Sequence, residues 1–195
     1  LRKLQLVFTA LLLSVVLTAP LSATVMTPLS ESQLIEVSNA IVVGKCVAVE
    51  SGRQGRKIVT RVTIEVQEAL KGKTPDRATV WIPGGIDNSG PVAIGSLVPG
   101  APVFVPDEEV LLFLQRPNGV ESGSDFGVVG LAQGKFTLVT DSAGDTWAVR
   151  SLGGAISPSG QSLQGHAKLS LEKFKARILA LVEPAREEPS EESQP

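Results

Sequence analysis

Residues 56–70 alternate strictly in polarity: Ile58, Thr60, Val62, Ile64 and Val66 fall on one face, and Lys57, Arg61, Thr63, Glu65 and Gln67 on the other. Period two of this kind predicts a β-strand with one face in the core and one in water. Fully extended, such a strand runs ~46 Å at ~3.3 Å per residue. That is too long for one side of a small sheet, so it is expected to bend or bulge and to serve two parts of a curved barrel.

The neighbouring segments extend the β reading. Ile41–Val49 is apolar on both faces, with small side chains at Val42, Gly44, Cys46 and Ala48 where tight curvature needs them. Ala78–Ile82 predicts a short strand ending in Trp81 and stopped by Pro83, and Glu109–Gln115 a central strand buried on both sides. Gly127–Leu131, Gly134–Thr140 and Asp145–Arg150 follow as strands, with Phe136 and Leu138 inward together, as are Trp147 and Val149. Asp141–Asp145 is a natural hairpin loop. Ser30 with Gln33 three residues on forms a capping box that starts a helix. Ser170 starts another that runs to Glu183, with Phe174, Ile178 and Leu181 as its apolar stripe. The fold expected is mainly β, a small antiparallel β-barrel with an N-terminal and a C-terminal α-helix.

Charge and composition divide the 195 residues into three parts. Arg2 and Lys3 precede the apolar run Leu4–Leu17, and Pro20-Leu21-Ser22-Ala23 follows it, the layout of a cleaved signal peptide over residues 1–23. The uncharged stretch Leu4–Met26 is also long enough to span a bilayer, so a retained anchor is the alternative. Residues 183–195 are rich in Glu, Pro and Ser without apolar periodicity and read as a disordered acidic tail. The chain carries 18 Lys and Arg against 20 Asp and Glu. Arg2, Lys3 and Arg186 lie outside residues 24–182, as do Glu183, Glu187, Glu188, Glu191 and Glu192, so that span holds 15 of each sign. A neutral domain has no field to draw it onto nucleic acid or an anionic membrane. The expected location is the periplasm or the extracellular space, and the expected form a monomer without stable membrane insertion.

The order of the pieces resembles a known group. Leu29-Ser30-Glu31-Ser32-Gln33-Leu34 leads into Ile41-Val42-Val43-Gly44-Lys45, and the long strand ends Leu70-Lys71-Gly72. Val80-Trp81-Ile82-Pro83-Gly84-Gly85, Glu108-Glu109-Val110-Leu111-Leu112-Phe113-Leu114 and Gly130-Leu131-Ala132-Gln133-Gly134-Lys135-Phe136 follow. Over residues 29–150 this order resembles exported bacterial β-domain proteins whose domain also occurs beside matrixin-like metalloproteases. More distantly it is similar to the netrin-like, TIMP-type OB-fold, and the resemblance therefore implies an OB-like barrel. TIMP-type inhibitors grip the protease zinc with an N-terminal Cys, whereas the one cysteine here is Cys46, so no functional residue carries over.

Candidate chemistry is sparse. One Cys and one His leave no disulfide framework and no cage of His and Cys alone for a metal, and no cofactor is expected. Cys46 reads as a small buried hydrophobe and His166 as a solvent-exposed side chain; a Cys46–His166 pair is the one nucleophile–base arrangement available. Gly72-Lys73-Thr74 imitates the end of a phosphate loop, but Gln67 stands where that loop needs its first glycine. Asp141 and Asp145 offer calcium too few oxygens, and Glu108 and Glu109, adjacent on a strand, cannot work as an acid–base pair.

Two features point to recognition. Residues 83–106 form a long connection with five Pro and five Gly, expected to fold across the barrel as a lid, a recognition loop or a plain cover. Lys45, Arg53, Arg56, Lys57 and Arg61 face only Glu50 locally and could dock an acidic partner. Trp81 and Phe104 complete the candidate binding set. Nucleic acid is not expected, since the basic stretch lacks interleaved aromatics. The function expected is an exported non-catalytic β-barrel module that binds a protein or another envelope macromolecule. The alternatives are a protease-associated or protease-inhibitory domain, and an enzyme accessory using Cys46 or His166.

Overall fold

A computed structural model describes residues 27–117, 123–152 and 167–183. The expected signal segment 1–23, most of the acidic tail and His166 lie outside them. Ten strands and two helices follow in order: α1 (Glu31–Val37), β1 (Ala40–Gln54), β2 (Lys57–Lys71), β3 (Arg77–Pro83), β4 (Gly85–Asp87), β5 (Ile94–Ser96), β6 (Glu109–Gln115), β7 (Asp125–Val128), β8 (Lys135–Thr140), β9 (Thr146–Arg150), β10 (Ala167–Ser170) and α2 (Leu171–Val182). Eight strands make one large sheet, and β4 with β5 a separate hairpin.

The large sheet curls into a partly closed ring. β1 pairs with β2, β2 with β3, β3 in parallel with β7, β7 with β6, and β6 back onto β1. The closing seam is short, Thr79↔Asp125 and Val80↔Phe126 on one side of β7 and Leu114↔Val128 and Gln115↔Gly127 on the other. One edge of β6 is shared, because β8 takes the stretch Val110–Leu112 that β7 leaves open. From β8 the sheet continues outward through β9 to β10.

This arrangement explains the doubly apolar strands. Val42 of β1 and Val110, Leu112 and Leu114 of β6 point into the ring with Val62, Ile64, Val80 and Phe126. Ile41, Val43, Leu111 and Phe113 point outward and are covered by Leu34 and Ile35 of α1 and Phe174, Ile178 and Val182 of α2. The two helices thus shield one flank, with Phe136 and Phe174 rings 4.9 Å apart at its centre. The capping box of α1 is formed as expected, Ser30 and Gln33 exchanging hydrogen bonds of 3.2 and 2.9 Å. At the other end of α1, Lys71 Nζ donates to the Ile35 carbonyl at 2.6 Å, and desolvation pushes its pKa down. Arg177 and Glu31 join the helices at 2.9 Å.

The long β2 is irregular as expected: it carries an extra residue at Leu70 and another at Gln67, and its partner β1 carries one at Val47. Register slips between Cys46 and Ala48 leave Val47 bulged, which sends Ala48 outward opposite Thr63 rather than into the small-residue interior. Gly44 lies against the β2 backbone, where a Cβ would collide with the Glu65 carbonyl.

Three further expectations need correction. The strand expected over Gly127–Leu131 is Asp125–Val128, because Gly130 and Leu131 both take φ near 58° and a 3₁₀ turn over Leu131–Gly134 intervenes. On β9 the residue that faces the core is Ala148, opposite Leu138, while Trp147 and Val149 are half-buried. The α2 stripe closes on Val182, four residues beyond Ile178, and Leu181 is 50% exposed.

Candidate functional site

Segment 83–106 is strapped across the open end of the ring. Its first half forms the β4–β5 hairpin over the extended tip of β1 and β2, where Ser51 lies opposite Thr60 and Arg53 opposite Ile58. Beyond the ring these positions have no apolar interior to fill, and their polar groups hold the strap. Thr60 Oγ1 donates to the Gly84 carbonyl at 2.9 Å, and the Ile86 amide donates to Ser51 Oγ at 2.9 Å. Arg53 Nε donates to Asp87 Oδ2 at 2.9 Å. Asp87 is 4% exposed and also accepts from the Ser89 hydroxyl at 2.6 Å and the Ser89 amide at 3.1 Å. The Ser89 bonds, followed by Arg53, hold its carboxyl down to about 2. Gly85 runs at φ 133° so close to the tip that a Cβ would overlap the Ser51 and Thr60 hydroxyls.

The second half is pinned by its aromatic. Phe104 is 7% exposed and closes the ring interior. Lys135 Nζ sits 4.7 Å above its ring centroid, donating to Glu108 Oε1 at 2.6 Å and to the Val103 carbonyl at 2.7 Å. Thr137 Oγ1 donates to the same Glu108 oxygen at 2.5 Å. Glu108 is therefore committed to an internal ion pair, 13% exposed against 11% for Lys135.

Between strap and ring lies a cavity of about 560 Å³, floored by Val49, Ile82 and Phe104 and walled by Gly84–Ile86, Gly95–Val98 and Ala101–Val103. No charged residue lines it. The strap carries unusually exposed aliphatic side chains: Leu97 is 93% exposed, Val103 77% and Val92 71%. Isolated apolar residues at a surface need no explanation, but a clustered set on one element marks a contact surface. A second cleft of about 500 Å³ opens beside it, lined by Arg53, Arg56, Lys57 and Ile94–Ser96.

The residues expected to bind do not form one patch. Arg61 pairs with Glu50 across β1 and β2, and Trp81 lies next to Arg61 on β3, lining a shallow cleft of about 340 Å³ on the outer face. Arg53, though 48% exposed, is engaged by Asp87, whereas Arg56 and Lys57 stand exposed at the hairpin tip with no ion-pair partner among the described residues. Lys45 pairs with Asp107 at 2.7 Å. Phe104 contributes from the cavity floor. Asp87, Ser51, Thr60 and Leu97 are the site residues that sequence reading missed. Asp87-Asn88-Ser89 is the kind of turn signal by which the hairpin could be found in sequence, but nothing local links it to Arg53.

Cys46 is fully buried inside the ring, and burial pushes its thiol pKa up, the opposite of what a nucleophile needs. Asp141 acts as a turn residue, accepting from the Ala143 and Asp145 amides at 2.9 and 3.1 Å and from Trp147 Nε1 at 2.8 Å. Among the described residues no group of three or more His, Cys, Asp and Glu side chains is placed to hold a metal ion, and no helix is long and apolar enough to cross a membrane. Comparison of the chain with protein-family models, curated proteins and solved structures finds no match.

Proposed function

We propose that this chain is an exported, non-catalytic module that holds a partner macromolecule, a protein or another envelope component, in the groove between its β1–β2 tip and the strap. The observation that carries this reading is the strap itself: an uncharged cavity of about 560 Å³ whose lining includes Leu97 and Val103, 93% and 77% exposed. Ligand clefts of ~300–1,000 Å³ with mostly apolar walls are the common form of a binding site.

The pairing circuit supports the OB-like reading of the ring. Strands β1, β2 and β3 form a meander, β7 runs parallel to β3, and β6 returns to β1. A five-stranded OB barrel binds ligands on its second and third strands and the loops beside them. Here β2, β3 and the β1–β2 tip border the groove. This agrees with the resemblance to exported bacterial β-domain proteins.

A photo-crosslinking side chain placed at Leu97 tests the reading, with one at the exposed Gln67 as control. Irradiation in the native envelope fraction should give a discrete adduct from position 97 and none from 67. Equal labelling at both positions, or none at 97, rejects the groove as the binding site.

A further inference from the structure

We propose that the occupant of the groove is an extended peptide segment of the partner that alternates aliphatic and acidic residues. This rests on the reading of the groove as the binding site and adds the chemistry of what fills it. The apolar cavity and the basic cleft share the lining residues Pro83, Gly84, Gly95, Ser96 and Val98, so they adjoin along the strap and offer two halves to one ligand. One half, lined without charge, accepts aliphatic side chains. The other is lined by Arg53, Arg56 and Lys57 and by no carboxylate. Asp87 compensates Arg53, which leaves the positive charge of Arg56 and Lys57 in the basic cleft. A partner entering there is favoured by negative charge and penalised by positive charge.

The backbone adds the shape. β5 pairs with β4 on one side, in a sheet of two strands, and among the described residues it has no neighbour on the other. The open edge of β5, which carries the exposed Ile94 and is followed by the exposed Leu97, can pair with an added strand. An extended peptide uses that edge, and its period of two delivers aliphatic side chains to the apolar half and carboxylates toward Arg56 and Lys57. A lipid headgroup matches the charge but leaves the edge unpaired.

The test is fluorescence anisotropy with labelled ten-residue peptides: one of Val and Glu, one of Val and Lys, one of Ser and Glu. Vesicles of phosphatidylglycerol serve as the lipid arm. The Val/Glu peptide should bind at least about tenfold more tightly than the other two, and vesicles should not compete. Leu97→Asp and the double change Arg56→Glu with Lys57→Glu should each weaken it about tenfold or more. All three positions are exposed, and unchanged thermal unfolding will show the variants folded. Preference for the Val/Lys peptide, capture by vesicles instead, or no peptide binding overturns the inference. Position-97 adducts alongside a Val/Lys preference would spare the groove and remove only the acidic chemistry; an indifferent Leu97→Asp with no adduct would remove the groove.

Discussion

Arg53 Nε and Asp87 Oδ2 lie 2.9 Å apart, joining the tip of β1 to β4 across thirty-four positions of chain. With the Thr60–Gly84 and Ser51–Ile86 hydrogen bonds, the pair holds the first half of the strap over the β1–β2 tip. Asp87 is the buried partner and Arg53 the half-exposed one.

The strap should therefore loosen in acid. Asp87 ionises near 2 in the folded protein, against an ordinary value near 3.8. A depressed carboxylate pKa stabilises the fold above its unfolded value, and that contribution is lost as pH falls from about 4 through about 2. Digestion with pepsin, an acid protease active across this window, should show cleavage within residues 84–98 rising as protection is lost. Asp87→Asn should show the loosened strap already at pH 7, where thermolysin reads it.

Gly85→Ala should displace β4 from the Ser51 and Thr60 hydroxyls, because the added methyl falls on both. The expected cost is about 1–3 kcal/mol, borne mostly by the strap. Amide hydrogen exchange would register it as faster exchange at Ile86 with little change in β6.

Breaking the Glu108–Lys135 pair should be costly. With both partners nearly buried, Lys135→Met leaves the carboxylate with only the neutral donors Thr137 and the Val105 amide and is expected to destabilise by roughly 3 kcal/mol. Urea unfolding measures this, and replacing both partners by apolar residues should recover part of the loss.

Phe174→Ala removes the ring that touches both Phe113 and Phe136, at 6.1 and 4.9 Å between centroids. A loss of about 3–4 kcal/mol is expected for a fully buried aromatic. Since this cluster lies on the flank away from the groove, peptide affinity of the folded fraction should stay unchanged.

Cys46 should resist thiol reagents at pH 8 in the native state and react fully in denaturant, since it is buried and its thiol pKa is raised. Fast native labelling by Ellman's reagent would contradict its place inside the ring.

Local pattern alone determined the mainly β class, the course of β2, β3, β6, β8 and β9, the capped start of α1 and the buried position of Cys46. Each follows from side-chain alternation or a short-range hydrogen bond, which neighbouring residues specify without help. Tertiary structure decided the rest. The bulge at Val47 reverses Ala48 only because two strands must keep register around a bend, and Ala148 displaces Trp147 from the core because β8 sets which face of β9 meets Phe136. The groove is the fullest case. Basic residues that look like one patch in sequence are shared between two clefts, Arg53 lining both, and Asp87 and Glu50 each pair with one of them through contacts the local sequence does not specify. What remains, a bare aliphatic strap beside two unmatched cations, arises from packing segment 83–106 over a ring that supplies its floor.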